Sequence, residues 1–133
     1  MGIITQVIFV LLSLTKYLQI PLYQQIASGM EFLSEKNIYH GDLAARNILL
    51  NEHLVAKVAD FGLSRRLYEN FSVSSLFRPD NASMKLPTKW LALEALTHGH
   101  IIPGKSDVWS FGVVMWELFS LGAEPYRPSK LLN

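Results

Sequence analysis

The fold of this chain is decided by two segments, residues 40–47, which read His-Gly-Asp-Leu-Ala-Ala-Arg-Asn, and residues 60–62, which read Asp-Phe-Gly. The first segment places a carboxylate, Asp42, shortly before an amide, Asn47, and the second adds another carboxylate, Asp60. Mg²⁺ is a hard cation that proteins bind through oxygen atoms, above all those of carboxylates. If the chain between the two segments folds back on itself, it brings these three side chains into one neighbourhood.

The pattern of apolar residues predicts such a return. Residues 47–50 and 55–59 are short β-type runs on either side of a polar turn, which predicts a hairpin. Residues 16–35 repeat apolar side chains at helical spacing. Residues 61–83 lose all periodicity and predict a long surface loop. A helix at about 107–121 is apolar on nearly every face, which is typical of a helix in the middle of a larger core.

The totals describe one small globular domain. The chain has 133 residues, of which 50% are hydrophobic and 17% charged, and this balance excludes a disordered chain. With 12 basic and 11 acidic residues the net charge is +1, so no nucleic-acid partner is expected. The chain has no cysteine, which excludes disulfides and cysteine-based zinc sites.

Residues 1–15 form an apolar leader of uncertain status. The run is shorter than the roughly 20 apolar residues that span a bilayer, and it lacks the positive start of a signal peptide. A buried helix, or a start that does not belong to the native domain, is the better interpretation.

The chemistry that fits Asp42, Asn47 and Asp60 is phosphoryl transfer. This reaction needs Mg²⁺ held by oxygen ligands, a group that orients the attacking hydroxyl, and compensation of the phosphate charge. In this order and spacing the two motifs resemble the protein kinase family, and within it the tyrosine kinases, over residues 22–126. Each motif alone would be more often an ordinary turn or a structural pair.

The resemblance implies an α+β fold, a mainly helical kinase-like C-terminal lobe with a short β-hairpin. Residues 16–133 would then be a partial kinase domain, with catalytic loop 40–47 and activation segment 60–94. The Gly-rich loop and lysine strand of the N-terminal lobe are not found before residue 22. We therefore expect a domain fragment without that lobe, inactive alone.

The resemblance also implies roles for the central residues, with ATP and Mg²⁺ as cofactors. Asp42 would accept or orient the proton of the substrate hydroxyl, and Arg46 would be the catalytic cation beside the phosphates. Asn47 and Asp60 would bind Mg²⁺ and the nucleotide, and Leu49 would lie beneath the adenine ring.

A further set of residues is implied to support the site. His40 and Phe61, with Gly62, would pack in the column that aligns the two lobes, and Asp107 would brace the catalytic-loop backbone. Ser106 and Asp107 also look like the N-cap of the helix that follows.

The substrate class follows from finer features of the resemblance. Serine/threonine kinases place a lysine where this chain has Ala44, whereas the cation here is Arg46, as in tyrosine kinases. Pro87 and Trp90, in Leu-Pro-Thr-Lys-Trp, resemble the tyrosine-kinase substrate platform. Protein substrates with tyrosine are therefore the expected partners.

Residues 105–117 resemble receptor-type tyrosine kinases especially well, although cytosolic ones are close. The resemblance implies a kinase domain in the cytoplasm. Its parent protein would be a dimerising receptor at the plasma membrane.

Two departures from the family stand out: residue 41 is a glycine, and residues 60–94 contain a single tyrosine, Tyr68. Gly41 replaces the arginine of His-Arg-Asp, which in the family pairs with a phosphorylated residue of the activation segment. We expect activity to depend little on that phosphorylation, which phosphatase treatment would measure. Tyr68 is either an autophosphorylation site or an ordinary loop tyrosine.

Two alternatives to an active kinase remain. Gly41, and Leu93 in place of a family proline, favour a pseudokinase that binds partners without turnover. A remnant that never folds alone is the other, because the apolar helix would lack cover.

Overall fold

The computed structural model describes residues 19–66, 86–98, 101–102 and 104–127. The apolar leader, most of the proposed activation segment and Tyr68 lie outside these residues.

Helix α1 spans Gln19–Glu35 and matches the helix that apolar spacing predicted. Its buried side includes Leu22, Ile26 and Leu33. Pro21 lies in the first turn, where the missing N–H breaks no intrahelical hydrogen bond. Just past the end, Asn37 adopts a φ of 53° and donates its N–H to the Ser34 carbonyl, which turns the chain out of the helix.

The predicted hairpin forms from strands β2, Ile48–Leu50, and β3, Ala56–Val58, paired antiparallel with Ile48 opposite Val58. Its turn is held by Asn51, whose Oδ1 accepts the N–H groups of His53 at 3.0 Å and Val55 at 2.8 Å. Asparagine favours such turns because its short side chain reaches the backbone N–H groups of the residues that follow it.

A second strand pair was not predicted. Strand β1, Ile38–Tyr39, pairs antiparallel with β4, Arg65–Arg66, inside the stretch expected to be loop. The loop prediction is wrong at these residues because strands of two residues are too short to show an alternation in sequence. The catalytic loop and the hairpin lie between these two strands in the chain, so the pairing brings the two ends of that stretch together.

Two further helices follow, α2 over Leu93–His98 and α3 over Ser106–Phe119. Helix α3 packs beside α1, and Val114 and Leu118 join a core that also contains Ile26, Leu43 and Ile48. Burial of this apolar surface is the main stabilising contribution to the fold. Together the helices and short strands confirm the α+β class.

The sequence predicted that this apolar helix belongs inside a larger core and would lack cover in this chain alone. In the structure Val108, Trp109 and Trp116 are 62%, 45% and 46% exposed. The N-cap prediction is wrong, because Lys105 precedes the helix and makes no side-chain cap. Asp107 instead directs its carboxylate to the catalytic loop.

Within the part of the chain that the structure describes, no helix has the length and hydropathy needed to cross a membrane.

Candidate active site

Asp42 lies in the loop between β1 and a single 3₁₀ turn, Ala45–Asn47, and that turn places two partners on it. The Asn47 amide nitrogen donates to the Asp42 carbonyl oxygen at 2.7 Å and to its Oδ2 at 3.0 Å. The Arg46 guanidinium forms an ion pair with Oδ1. Both carboxylate oxygens are therefore oriented, and the charge of Asp42 is partly balanced.

His40 is fully buried and connects this loop to the segment before Asp60. Its Nδ1 accepts the Asp42 N–H at 3.2 Å, so the ring proton is on Nε2, which donates to the Ala59 carbonyl at 3.1 Å. The Phe61 ring lies 5.0 Å from the imidazole, centroid to centroid. His40 and Phe61 are therefore in ring contact, and their implied place in a column that aligns two lobes stays a prediction.

Asp107 reaches the same loop from helix α3. Its Oδ2 accepts the His40 N–H at 2.8 Å and its Oδ1 accepts the Gly41 N–H at 3.3 Å. Burial raises the pKa of Asp107, and these two backbone hydrogen bonds act against the rise. Asp107 therefore accepts two hydrogen bonds from the backbone of the loop at residues 40–47, and its bracing role stays a prediction.

Asp60 is placed by the end of the hairpin. The Ala59 N–H donates to the Asn47 carbonyl at 2.9 Å. Asp60 is the next residue after Ala59, so its backbone lies close to that of Asn47. Asp60 has a φ of 61°, and its Oδ1 accepts the Gly62 N–H at 3.2 Å. Among the described residues, no hydrogen bond joins the Asp60 carboxylate to Asp42 or Asn47, and the link between the two segments is the backbone hydrogen bond from Ala59 to Asn47.

The donor atoms suit Mg²⁺. In Asn47 the amide nitrogen makes both of these hydrogen bonds to Asp42 and the amide oxygen takes part in neither, and Asp60 is exposed. The described residues contain no group of three histidine, cysteine or acidic side chains that could hold a metal. Mg²⁺ is commonly bound by one or two carboxylates with phosphates and waters completing the shell, so this donor set fits.

Leu49 lies in β2 opposite Lys57. Its side chain is 41% exposed while its neighbour Ile48 is buried, because successive strand residues face opposite sides. An apolar side chain is therefore available on the outer face of the hairpin.

Pro87 and Trp90 form a turn in which the Trp90 N–H donates to the Pro87 carbonyl at 2.9 Å. The Arg46 guanidinium lies over the Trp90 indole, 4.5 Å from its centroid, which is a cation–π contact. The proposed platform thus touches the residue that pairs with Asp42.

Glu117 also belongs to this site, and sequence reasoning did not single it out. It lies on α3 beneath Ala45 and Trp90 and is 8% exposed. The sequence did indicate it, because an acidic residue in a helix that is apolar on nearly every face requires hydrogen-bond partners where it is buried.

Comparison with known sequences identifies the family of this chain. A sequence profile of the family described as "Protein tyrosine and serine/threonine kinase" matches residues 12–132, nearly the whole chain. The chain belongs to this kinase family.

Individual relatives include named tyrosine kinases. The kinase chain is 48% identical over 117 residues to tyrosine-protein kinase receptor torso of Drosophila melanogaster, covering 86% of this chain and 12% of that protein. It is 51% identical over 105 residues to vascular endothelial growth factor receptor 1 of Gallus gallus, covering 77% and 7%.

A third relative is not named as a receptor. Megakaryocyte-associated tyrosine-protein kinase of Rattus norvegicus is 49% identical over 121 residues, covering 91% of this chain and 23% of that protein. The kinase chain therefore spans under a quarter of each of these three relatives.

Proposed function

We propose that this chain supplies the catalytic loop and substrate platform of an ATP- and Mg²⁺-dependent protein tyrosine kinase. The observation that carries the proposal is the cluster in which Arg46 and Asn47 hold the two oxygens of Asp42. The tyrosine kinases among the relatives support the same reaction class.

In this proposal Asp42 accepts the hydrogen bond, and then the proton, of the substrate tyrosine hydroxyl. The Arg46 ion pair and the Asn47 amide hold the Asp42 carboxylate in one orientation. Arg46 can also compensate negative charge that develops beside the loop, because its guanidinium lies between the carboxylate and the indole face.

The nucleotide would be held by residues around the hairpin. Asn47 and Asp60 supply oxygen ligands for Mg²⁺, and Leu49 supplies an exposed apolar surface for the adenine ring. Bound ATP supplies the phosphoryl group, and Mg²⁺ neutralises its charge.

Pro87 and Trp90 are the proposed platform for the tyrosine-bearing segment. We further propose a receptor-type parent that dimerises in the plasma membrane, with the kinase domain in the cytoplasm. Two of the three relatives described above are receptors by name, which supports this finer assignment. Tyr68 stays a proposed phosphorylation site.

The test is Asp42→Asn in the full-length protein. The variant keeps the shape of the side chain but removes its negative charge, so we expect kcat for tyrosine phosphorylation to fall about 1,000-fold, a usual scale for loss of a general base. Mg-ATP affinity and thermal unfolding should stay unchanged. Glu52→Gln, an exposed carboxylate in the hairpin turn, is the control.

Turnover retained in Asp42→Asn would refute the assigned role. The second candidate, a pseudokinase, is favoured by Gly41, because the residue cannot bind a phosphate as the family arginine does. Nucleotide binding without turnover in the wild-type protein would select this alternative.

A further inference from the structure

Glu117 uses one carboxylate oxygen to hold two separate segments of the chain. Its Oε2 accepts the backbone N–H of Ala45 at 2.9 Å and the indole N–H of Trp90 at 2.8 Å. Ala45 begins the 3₁₀ turn of the catalytic loop, and Trp90 belongs to the proposed substrate platform. These two donors come from segments far apart in sequence, so a single buried atom sets their separation.

Trp90 is held on several sides by these contacts. Besides the indole N–H on Glu117, its carbonyl accepts the Ser110 hydroxyl at 2.6 Å, and its ring face carries the Arg46 guanidinium. Both Glu117 and Ser110 are on helix α3. Two of these three contacts therefore come from helix α3, and the third comes from the catalytic loop.

The contacts continue to the proposed catalytic group. Arg46, stacked on the indole, forms the ion pair with Asp42, and it follows Ala45 directly. A shift of Trp90 would move Arg46 and so change the orientation of the Asp42 carboxylate. Burial raises the pKa of Glu117, while the hydrogen bonds from Trp90 and Ala45 and the Arg46 charge oppose the rise.

We propose that Glu117 is a positioning residue for the tyrosine-kinase reaction: it fixes Trp90 and the catalytic loop in one geometry and so determines where a tyrosine on the platform meets Asp42. The inference rests on the proposed function. It adds a determinant of protein-substrate binding that does not itself touch either substrate.

Replacing a residue that is needed only for stability would change the kinetic constants differently from replacing a positioning residue. It would lower the fraction of folded protein, and hence apparent kcat, while leaving the KM values of both substrates unchanged. A positioning residue between loop and platform should raise KM for the protein substrate and leave KM for ATP unchanged, because Asn47, Leu49 and Asp60 are not among its contacts.

The experiment compares Glu117→Ala and Glu117→Gln in the full-length protein, with a random glutamate–tyrosine copolymer as substrate. We expect Glu117→Ala to lower kcat/KM for the copolymer about 100-fold, the scale of a small misplacement at an active site, with a higher copolymer KM. Glu117→Gln should restore it, because one amide oxygen can accept both N–H groups. Glu31→Ala, an exposed glutamate on α1, is the matched control.

Trp90→Phe provides a second route if Glu117→Ala does not fold. It keeps an aromatic face for Arg46 and removes the indole N–H together with its five-membered ring, so we expect a higher copolymer KM with ATP KM unchanged.

Suppose that the wild type is active and that Glu117→Ala leaves the copolymer KM unaltered. This result would overturn the role of Glu117 but not the proposed function. If Glu117→Ala does not fold, an unaltered copolymer KM in Trp90→Phe would have the same meaning. Failure of Glu117→Gln to restore activity would overturn the role of Glu117 as well. A wild type without transferase activity, or an active Asp42→Asn, would instead overturn the proposed function and with it this inference.

Discussion

At the scale of single residues, Gly41 shows how a departure from the family pattern fits the local backbone. Its φ is 81°, in the left-handed region that side chains with a Cβ avoid. A Cβ placed there would lie 3.0 Å from the Tyr39 ring and 3.1 Å from the Leu63 carbonyl oxygen. Glycine therefore relaxes the turn between His40 and Asp42 while it removes the cation that the family places there.

We predict that Gly41→Ala lowers the free energy of unfolding by about 1–2 kcal/mol, the usual cost of a left-handed alanine. Chemical denaturation measures it. Gly112→Ala is the control, because a Cβ on Gly112 meets no atom within 4 Å, and alanine in a helix interior should stabilise by about 0.5–1 kcal/mol. Equal stability of Gly41→Ala and the wild type would show that the turn tolerates a side chain.

At the scale of elements, helix α3 fixes the catalytic loop through two side chains, Asp107 and Glu117, that accept hydrogen bonds from the loop backbone. Asp107 accepts two backbone N–H groups, those of His40 and Gly41, that are otherwise in a buried environment. An unsatisfied buried N–H costs more than a typical hydrogen bond contributes. The loop conformation therefore depends on a helix that lies 67 residues further along the chain.

We predict that Asp107→Ala destabilises the protein by about 2–4 kcal/mol, because two buried N–H groups lose their acceptor. Asp107→Asn keeps one oxygen and should cost less. Thermal unfolding should show stability decreasing from the wild type to Asp107→Asn to Asp107→Ala. We expect kcat to decrease in the same order, because the catalytic loop is held less firmly. A stability of Asp107→Ala equal to that of the wild type would contradict the bracing role.

At the scale of the whole molecule, helix α3 leaves apolar side chains uncovered. Trp109 and Trp116 lie two turns apart and, with Pro125 and Tyr126, line a shallow apolar groove. We name these four residues the tryptophan groove. Exposed apolar patches of this kind favour association with other surfaces.

The 133-residue chain by itself is therefore expected to self-associate, with an apparent mass in light scattering that rises with protein concentration. Replacing Trp109 and Trp116 together by glutamine should reduce the rise, since it removes most of the apolar area of the groove. Phe32→Gln is the control, an exposed aromatic on α1 that Lys36 covers. Concentration-independent mass of the unaltered chain would contradict the expectation.

Local sequence patterns were sufficient to predict helix α1, the hairpin and the residues of the proposed catalytic loop. Each of these depends on neighbours close in the chain: apolar spacing in α1, the Asn51 turn, and the short separation of Asp42 from Asn47. Local periodicity and motif spacing are properties that a single sequence displays directly. The kinase resemblance rested on those same residues.

Tertiary structure decided what joins these parts. The β1–β4 pair and the exposed side of α3 depend on chain segments that meet only after folding, as does the buried link from Glu117 to Ala45, 72 residues apart. No local pattern encodes which distant N–H group a buried carboxylate will accept. The sequence by itself thus predicted the proposed catalytic and metal-binding groups, Asp42, Asn47 and Asp60. The packing of α3 decided how the loop and the platform that surround them are held.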